Sequence, residues 1–305
     1  MKKYAYIVAI GITIAAIIII AGCKTRFPAT KSEARVTVSL PEVERGRVLV
    51  YSICGGCHYN RQANKFIGNR IEDVPGIAGT VYSANLTHSR SHGIPPKYSD
   101  AQIKYLLKTG IASDGRYIPY MLRPNMAESD LDAIVAYLRS DDPAVAAADT
   151  TVGITHYTLF GKIYMNSSAK PLEYIHGVKR PSEDEPVALG RYLVDNLGCF
   201  HCHSKSLKSL NYLHPEQSPG YMAGGFKLKG ENGAKVTASN ITPDKQTGIG
   251  NYTKEQFLRA LTEGEAPQRK LRPPMPQFKM LSHKEIDAIW AYVQTIPAVE
   301  NRVQH

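Results

Sequence analysis

Long basic blocks are missing from this 305-residue sequence, although its formal charge is +10, from 37 Lys and Arg against 27 Asp and Glu. Charge scattered in this way reads as solvated surface and does not fit nucleic-acid binding. A glycine-rich nucleotide loop, a flavin motif and a catalytic triad are also missing, so oxidation of a substrate would belong to another chain. No run of alternating apolar and polar residues marks a strand, and the fold class expected is all-α. Cysteine is scarce. Only Cys23, Cys54, Cys57, Cys199 and Cys202 occur, an odd count whose spacing does not make a disulfide framework.

What is present begins with Lys2 and Lys3, followed by an apolar run from Tyr4 to Gly22 that ends at Cys23. Such a stretch is an export signal or an anchor. The ending Ile20-Ala21-Gly22-Cys23 resembles a bacterial lipobox, in which the signal is cut before the cysteine and the thiol carries lipid. The expectation is a signal over 1–22, lipid on Cys23, a membrane-proximal spacer over 23–40, and a protein tethered in the bacterial cell envelope that faces the periplasm.

Lining the chain up against itself exposes a repeat. Cys54-Gly55-Gly56-Cys57-His58 returns 145 residues later as Cys199-Phe200-His201-Cys202-His203. Asn85-Leu86-Thr87 returns as Asn240-Ile241-Thr242, and Asp132-Ala133-Ile134 as Asp287-Ala288-Ile289, both 155 residues later. The ten extra residues of the second copy are expected around 214–233. The repeat divides the chain into a first domain over 41–142, an ordered connector over 143–186 and a second domain over 187–305.

Three helical signals recur in the same order in each copy. The first, 43–53 and 187–197, carries Gly46 or Gly190 inside an apolar segment. Glycine there costs about 1 kcal/mol relative to alanine, so its presence in both copies points to a close helix crossing. The second begins with a capping box, Ser99 with Gln102 and Thr253 with Gln256. The third buries Leu131, Ile134, Val135 and Leu138, matched by Ile286, Ile289, Trp290 and Val293. Ser282 and Glu285 cap its second copy, whereas Ala127 leaves the first without that cap.

Cys-x-x-Cys-His at a helix end is the attachment motif for c-type haem. Two thiols three positions apart reach the two vinyl groups of one porphyrin, and the next histidine presents its imidazole to the iron. Cys54, Cys57, Cys199 and Cys202 are therefore the expected haem attachments and His58 and His203 the expected axial ligands, for two haems c. A zinc half-site and a thiol redox pair are the competing readings.

With both motifs in hand, the chain resembles the two-domain, dihaem c-type cytochromes that serve as electron-transfer subunits of periplasmic dehydrogenases. The likeness rests on the two CxxCH motifs, Asn240 to Asp244 with Thr247 to Gly250, Pro274-Met275-Pro276, and the closing Ala288 to Tyr292. It implies a methionine as the sixth iron ligand, from the loop before the last helix. In the second copy this is Met275, with Met280 as competitor. In the first it is Met121, with Met126, His88 and His92 as alternatives. The resemblance also implies that the chain is not itself an enzyme and carries electrons from a periplasmic dehydrogenase to the respiratory chain or another acceptor. The other reading is a dihaem peroxidase-like enzyme with one open haem site.

Overall fold

The first helix of each half is fixed by what its glycine lies against. Helix α1 (Leu40–Leu49) starts with Ser39 donating its backbone N–H to Glu42 at 3.1 Å, and its chain continues through a wide turn, Val50–Cys54, into the short α2 (Gly55–His58). Helix α3 (Asp100–Thr109) and helix α4 (Glu128–Leu138) complete the first set. A Cβ on Gly46 would stand 1.8 Å from the Ala133 carbonyl oxygen of α4. Only a glycine lets these two backbones touch.

The second set follows the same plan. After α5 (Leu159–Ser167) in the connector come α6 (Pro186–Leu197), the short α7 (Cys199–Cys202), α8 (Lys254–Glu263) and α9 (His283–Val293). Gly190 of α6 meets α9 as Gly46 meets α4, since its Cβ would be 1.9 Å from the Ala288 carbonyl oxygen. Gly198, in the left-handed conformation at φ 77°, ends α6 and turns the chain into α7. The capping boxes at Ser99, Thr253 and Ser282 all form.

The structure is a computed structural model that describes residues 26–304, apart from Pro96, Glu231 and Asn232, together with scattered positions before residue 17. Cys23 and much of the apolar run before it lie outside the described residues. Among the described residues, no helix is long and apolar enough to cross a membrane.

The molecule is mostly helical, and among the described residues it differs from the all-α expectation by six very short strands in three two-stranded antiparallel ladders. Strand β1 (Gly79–Thr80) pairs with β2 (His156–Tyr157) of the connector, β3 (Lys227–Lys229) with β4 (Lys235–Thr237), and β5 (Glu265–Ala266) with β6 (Arg269–Lys270). Ladders of two or three residues carry no alternation that a sequence pattern could reveal. The connector is a strap: beyond β2 it packs Gly161 against Ala78, bonds Leu172 N–H to the Thr109 carbonyl and sets Tyr174 Oη 3.0 Å from Glu128.

Two apolar clusters form the core. One gathers Leu49, Phe66, Met126, Leu131, Ile134, Tyr137 and neighbours. The other gathers Leu193, Phe200, Met222, Phe257, Ile286, Ile289 and Val293, and it also takes in Ala127 from the first half. Between the clusters, Arg45 of α1 bonds Asp130 at 3.0 Å and Glu285 at 2.6 Å. Those two carboxylates occupy the same position, the third residue, of α4 and α9.

The missing cap at Ala127 is supplied from the other half. Tyr192 Oη accepts the Ala127 backbone N–H at 3.1 Å and donates to Asp130 at 2.7 Å, completing a capping box by insertion of a hydroxyl. The extra residues of the second copy also lie earlier than the count from landmarks suggested. Gly68 N–H bonds the His58 carbonyl and Gly224 N–H bonds the His203 carbonyl. These bonds are ten and twenty-one residues past their histidines, and Leu86 N–H on the Phe66 carbonyl matches Ile241 N–H on the Met222 carbonyl, so the insertion falls within 204–221.

Because Gly46 and Gly190 each abut a backbone carbonyl, which cannot swing aside, Gly46→Ala and Gly190→Ala are each expected to lose about 2–3 kcal/mol or more. Urea denaturation of each variant measures this, and a loss below about 0.5 kcal/mol would contradict the close crossing.

Candidate haem-binding site

Each CxxCH turn is delivered by the helix that the glycine crossing fixes. In the first copy, Cys54 is buried, Cys57 exposed and His58 buried. In the second, Cys199 and Cys202 are half-buried and His203 is buried. None of the four thiols is in a disulfide.

The two histidines are held alike. His58 Nδ1 lies 2.8 Å from the Ala84 carbonyl oxygen and His203 Nδ1 lies 2.7 Å from the Ser239 carbonyl oxygen. A carbonyl can only accept, so in both rings Nδ1 carries the hydrogen and Nε2 keeps its lone pair. Burial lowers the pKa of both imidazoles and favours this neutral form, while the carbonyl bonds oppose it in part. A neutral ring anchored by Nδ1–H with Nε2 free is the arrangement of a metal ligand.

The anchoring carbonyls are themselves pinned by the repeated Asn-x-Thr motif, to which sequence reading assigned no role. Asn85 Oδ1 accepts the Thr87 N–H at 2.8 Å, and Asn240 Oδ1 accepts the Thr242 N–H at 3.0 Å. Their amide groups tie down the chain that leaves the last helix, Asn85 to Ala148 and Thr150 at 3.0 Å and Asn240 to Val299 at 2.7 Å. The residue just before each asparagine therefore has a fixed carbonyl to offer the histidine.

The methionines separate by burial. Met126 is wholly buried and fills the first core, whereas Met121 ends a short 3₁₀ turn and borders the same cluster as Cys54. Met275 borders the second cluster beside Cys199, and Met280 is not part of it. Counted from the glycine that ends the preceding helix, Met121 and Met275 coincide: each lies eleven residues past its cap, Gly110 or Gly264. The one-residue mismatch counted from the last helix arises after the methionine. Arg123 N–H returns to the Leu107 carbonyl two residues past Met121, while Phe278 N–H returns to Leu261 three residues past Met275. Of the alternative histidines, His88 has its Nε2 2.9 Å from the Leu138 carbonyl.

The chemistry of the thiols decides between haem and its competitors. Burial pushes Cys54 and Cys199 up to about 12, Cys202 up to about 11, and Cys57 upward as well. A thiol redox pair needs a depressed thiol pKa, and these move the other way. No group of three or more His, Cys, Asp or Glu residues that could hold a metal ion exists among the described residues, so zinc lacks its ligand set. The residues fit a covalently attached haem.

Sequence reading missed the residues that join the two turns. The insertion lays Tyr212 against Phe200 and His201, and Asn125, just past the Met121 turn, donates to the Tyr212 and Leu213 carbonyls at 3.3 and 3.2 Å. Arg123 is buried, with Nε donating to the Asn196 carbonyl at 2.7 Å and Nη1 to Leu122 at 2.6 Å. Nothing in the pattern of these side chains distinguishes them from surface residues. Asp195, one turn before Cys199, is pushed up to about 7 by burial, against the pull of Arg191, and its Oδ1 has no bonding partner among the described residues.

A helix-end CxxCH turn with its histidine tied back through Nδ1 is the donor set of a c-type cytochrome. No protein-family model matches the chain. The chain is similar to the fructose dehydrogenase cytochrome subunit of Gluconobacter japonicus, 25% identical over 299 residues that cover 92% of this chain and 58% of the relative. It is similar to the gluconate 2-dehydrogenase cytochrome c subunit of Pantoea cypripedii, at 26% over 84% of this chain and 60% of the relative. It is also similar to the cytochrome c subunit of the quinone alcohol dehydrogenase of Gluconobacter oxydans, at 32% over 84% of this chain and 55% of the relative. The homologues of this chain are thus cytochrome c subunits of dehydrogenases, at modest identity over most of its length. The chain spans a little over half the length of these relatives.

The raised pKa of Asp195 predicts a stability profile. Between about pH 4 and pH 7 the folded protein keeps the Asp195 proton that the unfolded chain has released, so this stabilisation is present at low pH and is lost as pH rises through 7. Asp195→Asn is expected to remove a fall in stability on the order of a few kcal/mol across that window. Urea midpoints against pH for both proteins test it, and parallel profiles would refute it.

Proposed function

We propose that this chain is a dihaem c-type cytochrome that takes electrons from a dehydrogenase partner and passes them to the respiratory chain or another acceptor. The observation that carries the reading is the duplicated anchor, His58 on Ala84 and His203 on Ser239, each behind its own pair of thiols. In this reading the two units are 41–142 and 187–305, joined by the strap 143–186. Cys54 and Cys57 hold one haem, Cys199 and Cys202 the other, and each supplies a reversible one-electron iron centre when bound. The protein stands in the cell envelope, tethered through lipid on Cys23 with the preceding signal removed, and oxidation of the substrate takes place in the dehydrogenase.

The residues divide the work simply. His58 and His203 offer Nε2 to the iron because Nδ1 is committed to a carbonyl. Met121 and Met275 would supply the thioether ligands, a reading supported by their shared count of eleven residues from Gly110 and Gly264, while Met126 is spent on the core. A neutral thioether opposite histidine raises the potential relative to two histidines, which suits a carrier. The two sites are not equal, since Cys57 is exposed and Cys202 half-buried, and two separate potentials are expected. The three relatives named above, each a cytochrome subunit of a dehydrogenase, do not favour the peroxidase-like alternative.

Alkaline pyridine spectra should count two haems per chain, falling to one in the Cys54→Ala, Cys57→Ala double variant. Met121→Ala and Met275→Ala should each remove about half of the far-red band of methionine-bound ferric haem, whereas Met126→Leu, a volume-conserving change costing less than about 1.5 kcal/mol, should leave it. Loss of the band in Met126→Leu would transfer the ligand role to that residue. Membranes carrying the partner should reduce both haems on addition of the dehydrogenase's substrate, and turnover of peroxide by the reduced protein would instead establish the enzyme reading.

A further inference from the structure

We propose that Arg123 is a shared electrostatic control of both haem sites, a buried cation between the two attachment turns that holds both reduction potentials up. The inference rests on the dihaem reading above. Arg123 follows the Met121 turn of the first half, yet its Nε bonds the Asn196 carbonyl of α6, three residues before Cys199. Its Nη2 would lie 3.4 Å from a Cβ on Gly198, beyond the His201 ring at 2.9 Å. The guanidinium acts electrostatically on Cys54 and Cys57 of one turn and on Cys199 and His201 of the other. Cys54, Cys57 and Cys199, three of the four attachment cysteines, thus feel one charge.

The charge is what needs explaining. Arg123 is 8% exposed, both of its bonds go to neutral backbone carbonyls, and no described carboxylate stands within ion-pair distance. Arg45, the other arginine between the halves, has two carboxylates. Burying an unpaired cation costs several kcal/mol, and a neutral amide would make the same two bonds at lower cost. Arginine also stays protonated in such a place, so the field is constant across ordinary pH.

That field has a defined sign. When a ferric iron takes one electron and becomes ferrous, with no proton moved, the local positive charge falls by one. A fixed cation favours the ferrous state, and it does so at both sites. At a separation on the order of 10 Å and an effective dielectric of about 20, one charge shifts such an equilibrium by roughly tenfold.

The test is a spectroelectrochemical titration of the haem-loaded protein, with dithionite as reductant, in Arg123→Gln and Arg123→Lys. In Arg123→Gln the ratio of oxidised to reduced haem at a fixed potential should rise about tenfold at both sites, equivalent to a fall of about 59 mV in each potential. Arg123→Lys, which keeps the charge without the fork, should stay within about threefold of the original. The far-red methionine band should persist in both variants, which separates a change of field from a displaced Met121. Arg123→Met, which keeps the buried stem, provides the same comparison if the glutamine variant does not fold. A shift at one haem alone, no shift in the neutral variants, or equal shifts in Arg123→Lys and Arg123→Gln would overturn the proposal. A haem count other than two in the unmodified protein would instead overturn the dihaem reading on which it rests.

Discussion

Two glycines pressed against two carbonyls decide where everything else can go. With Gly46 seated on Ala133 and Gly190 on Ala288, the first and last helices of each half lie at backbone contact. The same seats bring Tyr137 and Tyr292 beside the glycines, with their Cβ atoms 2.8 and 2.7 Å from where a Cβ on each glycine would be. Each first helix then ends against a fixed wall, and the CxxCH turn that continues it inherits that position. A single added methyl group at either glycine would displace the CxxCH turn through this geometry.

The repeat supplies the parts, and its irregularities join them. In the second copy the last helix is capped by its own Ser282 and Glu285. In the first it is capped by Tyr192 from the other half, and Asp130, the carboxylate of that borrowed box, is held with Glu285 by Arg45. The insertion within 204–221 has no counterpart in the first copy, and it is the segment that Asn125 grips. A strictly symmetric duplication would have left two self-sufficient units with little reason to keep one relative arrangement. Here these two departures from symmetry are also contacts between the halves.

What could be read from the sequence alone was whatever is encoded locally. Capping boxes are decided within four residues, and the helix crossings announce themselves because glycine is out of place in an apolar helix. The CxxCH turns are likewise contained in five residues. The methionine loop was harder, because counting back from the last helix crosses the one extra residue after Met275, while counting forward from the glycine caps does not. The insertion was misplaced for the same reason, since landmarks on either side of it bound its length more tightly than its position. Tyr192, Arg45 and Arg123 were out of reach, because each acts on a partner far along the chain and none belongs to a local pattern; the repeated Asn-x-Thr was visible, but its pinning role depends on carbonyls far along the chain.

The two arginines between the halves show why burial alone does not reveal a residue's purpose. Arg45 is paired so fully that, although burial works against its charge, its bonds and attraction to Asp130 and Glu285 raise its pKa above the ordinary value. Removing it would leave Asp130 with no cation among the described residues and Glu285 with Arg180 alone, so its contribution is to the joint itself. Arg123 moves the other way, lowered by burial, with thiols and a tyrosine as its principal electrostatic neighbours. A buried cation with no counter-ion among the described residues raises the energy of the fold, and the assembly tolerates it where the segments carrying the two candidate iron sites meet. Stability would be better served by a neutral residue there, whereas the proposed pair of iron centres would be served by the charge.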